Sequence, residues 1–451
     1  MTTWSIRNPG GRIRTRRKRL AIPVAIALAV MSASAADAHE HVLAYLDPGT
    51  GNVLINIVIA TIAALLYSLT SLYYYLFKKQ AKAEGGARGD GGIALFTEGK
   101  MYWTTFRPLV EALLAQKRRF SYYALDIEDP GLLIESQYMD CRFLGYGWAS
   151  QLNFYRIRAK ALVSTTPNIG TPEYPLKRPP SVGKLIHIWH SVNDMSAYRA
   201  GSLDCYDTVF MVGDFQEKSI RELEALRGLP QKELVPLGLP YLDVFVDDKQ
   251  EVTTGAATKT VLIGSSWGTK GCLASYGSGF IKAIAKEGYD VIIRPHPHSY
   301  KVEKELLDRL EGELKEYPNI TWDTAVSPVP SMNKADLLIS DTSSIRFDFA
   351  FIYEKPVITL DIKGEEMPGF ERDFLAEIWT DGSSSEIGMV VKREEIDRVT
   401  DYIAQALQQY DSERIREFRA KTVANFGRAS VAMVERLSAI VGTDEATCST
   451  K

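Results

Sequence analysis

Cysteine is scarce in this sequence, with four residues in a chain of 451. The cysteines are scattered and form no Cys-x-x-Cys pair; they are Cys141, Cys205, Cys272 and Cys448. The pattern therefore indicates no disulfide framework. It is typical of a reducing compartment for the large C-terminal part of the chain.

An excess of charge of either sign is also missing. The formal net charge is −3 at pH 7, so no general positive field attracts nucleic acid, and we expect no nucleic-acid partner. The sequence contains no Walker A motif, no Gly-x-Gly-x-x-Gly and no Gly-x-Ser-x-Gly. Its apolar fraction of 45% and its length indicate a globular protein of two or three domains.

The N-terminus has the pattern of a secretory signal. A dense basic cluster at residues 7–19 precedes an apolar run, Leu20 to Ala36, that ends in small residues. Together with an Ala-x-Ala site at Ala36-Asp37-Ala38, this predicts a signal peptide over residues 1–38. An uncleaved signal anchor is the alternative; the run is short for a bilayer span, which favours cleavage.

A second apolar segment, Val53 to Phe77, contains no charged residue and is long enough to cross a bilayer. The loop before it, residues 39–52, has no Lys or Arg, whereas Lys78 and further lysines follow it directly. The positive-inside rule then predicts that the loop is external and that residues after Lys78 are cytoplasmic. We therefore expect a transmembrane helix over 53–77, a Gly-rich linker over 78–92 and location at a bacterial inner membrane.

Short apolar strands alternate with helical segments in the remainder, which predicts parallel sheets flanked by helices. The predicted strands are Ile93–Phe96, Ser121–Leu125, Phe143–Tyr146, Ala161–Ser164, Lys184–Trp189, Val209–Val212, Glu233–Val235, Thr260–Gly264, Asp290–Ile293, Ile320–Trp322, Ala335–Ser340 and Val357–Leu360. A helix is expected over Met101 to Lys117 with Pro108 in its first turn, and the end of the chain is predicted to be mostly helical. A polar break near Asp247 to Lys259 divides the alternation. The sequence therefore predicts two Rossmann-like domains facing a cleft, over 93–247 and 259–445.

The joint after the strand that ends at Ser340 combines features of a phosphate site. Four good helix-capping residues follow at once, and the next segment is helix-length without Gly or Pro; the four are Asp341, Thr342, Ser343 and Ser344. Hydroxyls and free N–H groups at a helix N-terminus, at the carboxyl end of a strand, are typical of phosphate binding in α/β sheets. An ordinary capped strand–helix joint is the alternative.

Histidine is rare, with six residues, and four of them fall in two tight clusters. His187 lies within a predicted strand, where a core histidine is the favoured interpretation. His190 lies at the end of that strand, at the edge where α/β proteins bind ligands.

The second cluster is Val-Ile-Ile-Arg-Pro-His-Pro-His, in which Arg294, His296 and His298 alternate. If Pro295 and Pro297 keep the chain extended, the three side chains face one way. Arginine and histidine on a stiff strand end suit a phosphate or diphosphate. An exposed Pro-rich loop is one alternative.

A zinc site is the other alternative for the second cluster, because His-x-His can ligate zinc. Asp341 and Asp348 could add carboxylates, but no further histidine cluster completes the ligand set. We therefore favour phosphate and expect no metal and no cofactor. The small-residue loop Gly264 to Gly268 follows another strand and could approach a nucleotide.

In this order, these motifs resemble the CDP-glycerol:poly(glycerophosphate) glycerophosphotransferase family, whose members prime and polymerise teichoic acids. The resemblance covers about residues 180–400. The matching residues are Trp189-His190, then Gly238, Pro240 and Asp243, then Ser266-Trp267, then Arg294-Pro295-His296-Pro297, and last Ser340-Asp341-Thr342-Ser343-Ser344. Three positions depart from the family pattern: Ser191 replaces glycine, Tyr241 replaces arginine, and Gly268 stands where a basic residue is common.

The resemblance implies a GT-B-like fold and a CDP-glycerol or related CDP-alditol donor. An acceptor hydroxyl, on a glycan or a lipid-linked precursor, would attack the β-phosphorus and release CMP. The implied catalytic residues are His190, as general base, and His296. Asp341 is expected to orient its loop. The implied donor-binding residues are Arg294, Ser343, Ser344, Asp341, Thr342, Gly238, Pro240 and Ser266. The departures lie on the acceptor side, and a single transfer is favoured because no extra polymer-binding domain is found.

Two other functions fit the same sequence. A GT-B glycosyltransferase that uses a nucleotide sugar would need a sugar-binding carboxylate, for which Glu365 or Glu366 is available. A catalytically inactive, membrane-tethered nucleotide-binding scaffold is the third possibility, and the changes at Ser191 and Tyr241 motivate it.

Overall fold

The computed structural model describes residues 92–248, 258–269, 271–325, 327–362 and 369–442, together with Thr61. Across these ranges no helix is both long and apolar enough to cross a membrane. The predicted signal segment and almost all of the predicted span and linker lie outside the described residues and remain predictions.

Seven parallel strands form the N-terminal sheet, in the order β3-β2-β1-β4-β5-β6-β7. Their bounds are β1 Ile93–Thr97, β2 Phe120–Ala124, β3 Met139–Phe143, β4 Arg158–Ser164, β5 Ser181–Ile188, β6 Thr208–Met211 and β7 Glu233–Pro236. β1 and β2 are buried along their whole length, because helices cover both faces of a parallel sheet.

The C-terminal sheet has six parallel strands in the order β10-β9-β8-β11-β12-β13. Their bounds are β8 Thr260–Gly264, β9 Asp290–Arg294, β10 Ile320–Trp322, β11 Leu337–Ser340, β12 Val357–Leu360 and β13 Gly388–Val391. The predicted α/β class with two parallel sheets is therefore confirmed.

Helices connect the strands and close the chain. The α-helices are α1 Trp103–Ala115, α2 Gly147–Tyr155, α3 Glu217–Arg227, α4 Pro240–Asp248, α5 Cys272–Tyr276, α6 Gly279–Lys286, α7 Ser299–Val302, α8 Lys304–Leu314, α9 Val329–Lys334, α10 Ile345–Asp348, α11 Trp379–Gly382, α12 Ser384–Ile387, α13 Val399–Gln409, α14 Ser412–Thr422 and α15 Ala429–Val441. A π-helical turn, Phe349–Tyr353, continues α10 without a break.

Each sheet has one position where the connections change direction. In the N-terminal sheet this switch point lies between β1 and β4, and in the C-terminal sheet it lies between β8 and β11. Open α/β sheets bind ligands in the crevice at the carboxyl ends of the strands that flank such a point. The residues after these four strands are therefore the first place to look for a site.

Two local predictions were wrong, and one strand was missed. The third strand is Met139–Phe143 and not Phe143–Tyr146, because this edge strand alternates polar and apolar residues and lacks an apolar run. Pro108 lies inside α1 rather than in its first turn. β13 was not predicted, and it is a short edge strand of four residues.

The last helix, α15, packs against the N-terminal sheet: Met433, Val434 and Leu437 share a buried cluster with β1 and α1. Asp243 of α4 caps this helix, because its carboxylate accepts the N–H groups of Ala429 at 3.0 Å and of Ser430 at 2.8 Å. The chain thus returns to its first sheet after completing the second.

Candidate active site at the carboxyl ends of the two sheets

Asp341, the residue after β11, is the centre of the C-terminal switch point and is fully buried. One carboxylate oxygen accepts the backbone N–H groups of Ser266 and Cys272, each at 2.8 Å. The other accepts the Ser266 hydroxyl at 2.5 Å and the Ser343 N–H at 3.0 Å. Asp341 therefore joins the loop after β8 to the loop after β11, which agrees with the orienting role expected from the sequence.

Because both of its carboxylate oxygens accept hydrogen bonds from the protein, Asp341 positions the two loops. The hydroxyl of Ser266 donates to Asp341. Other hydroxyls at the loop have no partner within the described ranges: Thr342 is exposed, and Ser343 and Ser344 are half-buried. The first backbone bond after the loop is donated by Arg346, so the N–H groups of Ser344 and Ile345 find no acceptor among the described residues. The predicted side-chain cap is not formed, since Ser344 accepts no helix N–H.

Arg346 supports this loop from below and is 1% exposed. Its Nε donates to the Ser343 carbonyl at 3.1 Å, and its Nη1 donates to the hydroxyls of Ser384 at 2.7 Å and Thr359 at 3.2 Å. Burial lowers the pKa of this guanidinium to about 10, while Asp341 and Asp381 act in the opposite direction. A buried positive charge therefore lies directly behind the hydroxyl-rich loop, and sequence analysis did not identify it.

Arg294 ends β9, beside β8, and is 8% exposed. Its Nη1 donates to the Asp323 carboxylate at 2.6 Å, and Asp323 also accepts the Ser331 hydroxyl. Burial raises the pKa of Asp323, but the hydrogen bonds from Ser331, Ala325 and Arg294 outweigh it and leave that pKa below its usual value. Arg294 is thus anchored next to the site by a buried ion pair.

The prediction that Arg294, His296 and His298 alternate along an extended chain was wrong. His298 has helical backbone angles, and its N–H donates to His296 Nδ1 at 3.1 Å, so the segment forms a turn into α7. Since His296 Nδ1 accepts, the neutral ring carries its proton on Nε2 and can donate it outward. The His298 ring meets Trp267 edge-on, with centroids 4.7 Å apart, and Trp267 is 47% exposed.

His190 follows β5 in the N-terminal sheet and is partly buried. Burial lowers its pKa to about 4, so the ring is neutral at physiological pH. Its Nδ1 is buried and has no partner among the described residues. The ring meets Tyr102 edge-on, with centroids 5.2 Å apart. His187 is fully buried, as expected of a core histidine, with Nε2 3.0 Å from the Tyr198 hydroxyl.

Sequence analysis missed Glu98, which follows β1 at the N-terminal switch point. Its carboxylate accepts the Tyr174 hydroxyl. Burial raises the pKa of Glu98, and the hydrogen bonds from Tyr174 and Thr166 only partly oppose this. The signal was available, because an acidic residue directly follows an apolar strand and precedes a glycine.

Gly238 precedes α4, while Pro240 and Asp243 lie on this helix, whose Tyr241 contacts Asp348 after the SDTSS loop. Gly238 has a φ of +89°, and a Cβ built on it would stand 2.1 Å from the Ala424 carbonyl oxygen. Pro240 begins α4, and Asp243 caps α15. These residues connect the N-terminal sheet to the returning C-terminal segment.

Comparison with known proteins shows which family part of the chain resembles. Residues 275–436, which include the RPHP and SDTSS motifs, match the family CDP-Glycerol:Poly(glycerophosphate) glycerophosphotransferase. The resemblance found in the sequence is therefore confirmed over residues 275–436, which are similar to glycerophosphotransferases. No curated protein matches this chain by sequence.

Solved structures show the same fold at low identity. The wall teichoic acid polymerase TagF is 14% identical, with a TM-score of 0.52, over 84% of this chain and 98% of that one. A UDP-GlcNAc 2-epimerase from Methanocaldococcus jannaschii is 13% identical, with a TM-score of 0.52, over 77% of this chain and 99% of that one. A histidine variant of TagF after a 15 minute soak with CDPG is 14% identical, with a TM-score of 0.50, over 84% and 98%.

Proposed function

We propose that this protein transfers glycerol phosphate, or a related alditol phosphate, from a CDP-alditol to an acceptor hydroxyl and releases CMP. The acceptor belongs to a cell-surface glycan or a lipid-linked precursor. One observation carries the proposal. The matched range contains the RPHP motif, at the end of β9, and the SDTSS motif, at the end of β11, and these two strands flank β8. Asp341 links the loops after β8 and β11 by hydrogen bonds.

The donor diphosphate binds at this edge of the C-terminal sheet. The hydroxyls of Thr342, Ser343 and Ser344 and the N–H groups of Ser344 and Ile345 are suitable donors to phosphate oxygens. Nε2–H of His296 donates from the opposite loop. Arg294 and Gly264 to Gly268 hold the loops in place. The positive charge of Arg346, behind Ser343, stabilises a bound phosphate at the loop.

The transfer is an in-line displacement at the β-phosphorus. The acceptor oxygen forms a new P–O bond as the bond to the bridging oxygen breaks, and CMP leaves with that electron pair. The acceptor proton passes to His190, whose ring is neutral. Charge develops on the phosphoryl oxygens and the leaving oxygen, where His296 and Ser344 stabilise it.

The low pKa of His190 fits this role once the donor is bound. A base with a pKa near 4 is weak at neutral pH. A diphosphate close by favours the imidazolium form and raises the pKa, because opposite charges stabilise one another. We therefore expect the His190 pKa to rise when CDP-glycerol binds.

Anchoring at the inner membrane, with the transferase on the cytoplasmic side, is part of the same proposal. It is supported by the charge asymmetry around Val53 to Phe77 in the sequence. A cytoplasmic site has access to nucleotide-activated donors, and a membrane anchor places it near a lipid-linked acceptor.

The test compares donor binding with CMP release in three variants. His296→Ala and Ser344→Ala should each weaken CDP-glycerol binding in calorimetry by about ten- to a hundredfold, the effect of a lost charge-assisted hydrogen bond. His190→Ala should bind the donor almost normally and release CMP about a hundred- to ten-thousandfold more slowly. Parental CMP release by all three variants would refute this active site.

A donor screen separates this function from the glycosyltransferase alternative, whose candidate residues Glu365 and Glu366 lie outside the described part of the chain. CDP-glycerol and CDP-ribitol should raise the melting temperature of the purified protein, and UDP-sugars should not. Protection by a UDP-sugar alone would assign the protein to the other class. Binding of a CDP-alditol without CMP release in any condition would indicate an inactive scaffold.

A further inference from the structure

The N-terminal switch point brings together six residues, which we call the Glu98 pocket: Glu98, Tyr102, Thr166, Tyr174, His190 and Tyr206. Glu98 follows β1, Thr166 follows β4, and His190 follows β5. β1, β4 and β5 are neighbours in the sheet, so these residues meet at one edge. The position is equivalent to that of Ser266 and Asp341 in the C-terminal sheet.

Hydrogen bonds fix the walls of this pocket. Tyr174 donates its hydroxyl to Glu98, and Tyr206 donates its hydroxyl to the Thr166 carbonyl. The loop that carries Tyr174 is fastened by Lys177, whose Nζ donates to the carbonyls of Thr171, Pro172 and Tyr174 at 2.8–2.9 Å. The tyrosine that contacts Glu98 is therefore held in place before any ligand arrives.

The Glu98 carboxylate can accept further hydrogen bonds from a ligand. Tyr174 donates its hydroxyl to one of the carboxylate oxygens and a second, weaker hydrogen bond comes from Thr166, while no lysine or arginine forms an ion pair with Glu98 within the described ranges. Lys100, two residues on, is turned to the exposed Glu128. Glu98 is only partly buried, so a ligand entering from solvent can reach it.

Tyr102 connects Glu98 to the proposed catalytic histidine. Its ring meets His190 at 5.2 Å between centroids, and the Glu98 charge, after burial, contributes to raising the Tyr102 pKa. A group that binds Glu98 beside this ring thus lies next to His190. The acceptor hydroxyl of the proposed transfer must occupy that position to lose its proton.

We infer that Glu98 accepts a hydrogen bond from the acceptor and that the Glu98 pocket takes a neutral, hydroxyl-bearing end of it, such as a polyol or a sugar. The inference rests on the proposed function for the acceptor's role. An unpaired carboxylate repels a phosphate but accepts hydroxyl donors readily, and tyrosine rings pack against the C–H faces of such molecules. The pocket therefore selects against phosphorylated ends.

Binding of the acceptor should depend on pH, because the ionised Glu98 carboxylate accepts hydrogen bonds from hydroxyl groups more strongly than the protonated carboxyl does. The groups that face Glu98 are Tyr102, Tyr174, Thr166 and Tyr206. Burial raises the Glu98 pKa, and the hydrogen bonds from Tyr174 and Thr166 lower it. Affinity for the acceptor should fall as pH drops through this pKa. Tyr174→Phe removes one of the bonds that lower the pKa, so the fall should move to higher pH.

The experiment uses saturation-transfer NMR on the detergent-solubilised full chain, with ribitol as the probe. The parental protein should show ribitol signals that glycerol 3-phosphate and ethanolamine fail to displace. Glu98→Gln should weaken ribitol binding about ten- to a hundredfold and leave CDP-glycerol binding unchanged. Glu128→Gln, an exposed carboxyl near the same edge, is the matched control and should bind ribitol normally.

Two results would overturn the inference. Ribitol binding by Glu98→Gln at parental strength would remove the carboxylate from the site. Displacement of ribitol by ethanolamine or by glycerol 3-phosphate would show that the pocket takes a cation or an anion. Melting curves establish that each variant is folded, and the Tyr174→Phe pH shift gives a second readout. If the parental chain binds ribitol but no CDP-alditol, the proposed function fails and the pocket stands.

Discussion

Tyr241 donates its hydroxyl to the carboxyl group of Asp348, which joins α4 to α10 just after the SDTSS loop. Tyr241 is 5% exposed. The family pattern that this sequence resembles has arginine at position 241. Tyr241 therefore places a neutral hydrogen-bond donor beside Asp348, where arginine would place a charged one. Burial raises the pKa of Asp348 to about 7, and the hydrogen bond from Tyr241 opposes this only in part.

This pKa makes the contribution of Asp348 to stability depend on pH. In the unfolded chain the carboxyl loses its proton near its ordinary pKa of 3.8, whereas in the folded chain it keeps the proton up to about 7. Between these values the folded state binds more protons, so its stability falls as pH rises, by at most about 1.4 kcal/mol per pH unit. Urea unfolding of Asp348→Asn against the parental chain from pH 4 to pH 8 measures this difference, which should level off above pH 7.

The arginine of the family pattern provides the sharper variant. Tyr241→Arg would keep Asp348 charged and lower its pKa, so the decline in stability between pH 4 and pH 7 should disappear. Asp401→Asn, which changes an exposed carboxyl, should leave the parental pH profile intact. An unchanged profile in Asp348→Asn would show that this carboxyl does not titrate in that range.

Replacing Asp341 by Asn should open the loops of the donor site. Both carboxylate oxygens accept N–H or O–H donors from Ser266, Cys272 and Ser343, so the Asn amide group would face donors in either orientation. We expect a loss of about 3 kcal/mol in unfolding free energy and a loss of CDP-glycerol binding. Asp336→Asn is the control near the other end of β11, where one backbone N–H and an exposed lysine are affected. Equal costs at the two positions would contradict the role given to Asp341.

Gly238→Ala should destabilise the chain far more than Gly228→Ala. Both glycines have positive φ, at +89° and +63°, but a Cβ at 238 would meet the Ala424 carbonyl oxygen at 2.1 Å, whereas nothing lies within 4 Å at 228. The left-handed conformation alone costs about 1–2 kcal/mol, so Gly228→Ala sets the baseline in thermal unfolding. If Gly238→Ala instead melts like the baseline variant and only loses donor affinity, Gly238 belongs to the donor site.

The N-terminal topology is tested by fusions in intact cells. A reporter that is active only in the periplasm should be silent at the C-terminus, because the lysines after Phe77 favour the cytoplasmic side. A second fusion within residues 39–52 should be active and serves as the positive control. Activity of the C-terminal fusion would reverse the orientation.

Most strands and the order of the motifs could be predicted from the sequence alone. Buried parallel strands such as Thr260–Gly264 and Val357–Leu360 are continuous apolar runs, and their bounds match the structure. The edge strand β3 could not be found in this way, because an edge strand need not be apolar throughout. The RPHP and SDTSS motifs likewise indicated the proposed donor site, since their residue types fit the chemistry of phosphate.

Only the tertiary structure decided how these residues are used. Contacts distant in sequence engage Asp341 with Ser266 and pair Arg294 with Asp323. The turn at His296 is local, but the structure was needed to show it. Glu98 gained its place in the same way, because the parallel sheet brings the ends of β1, β4 and β5 together. Local pattern determines which residues form strands and turns, but the strand order determines which of those turns meet, and no local pattern encodes that order.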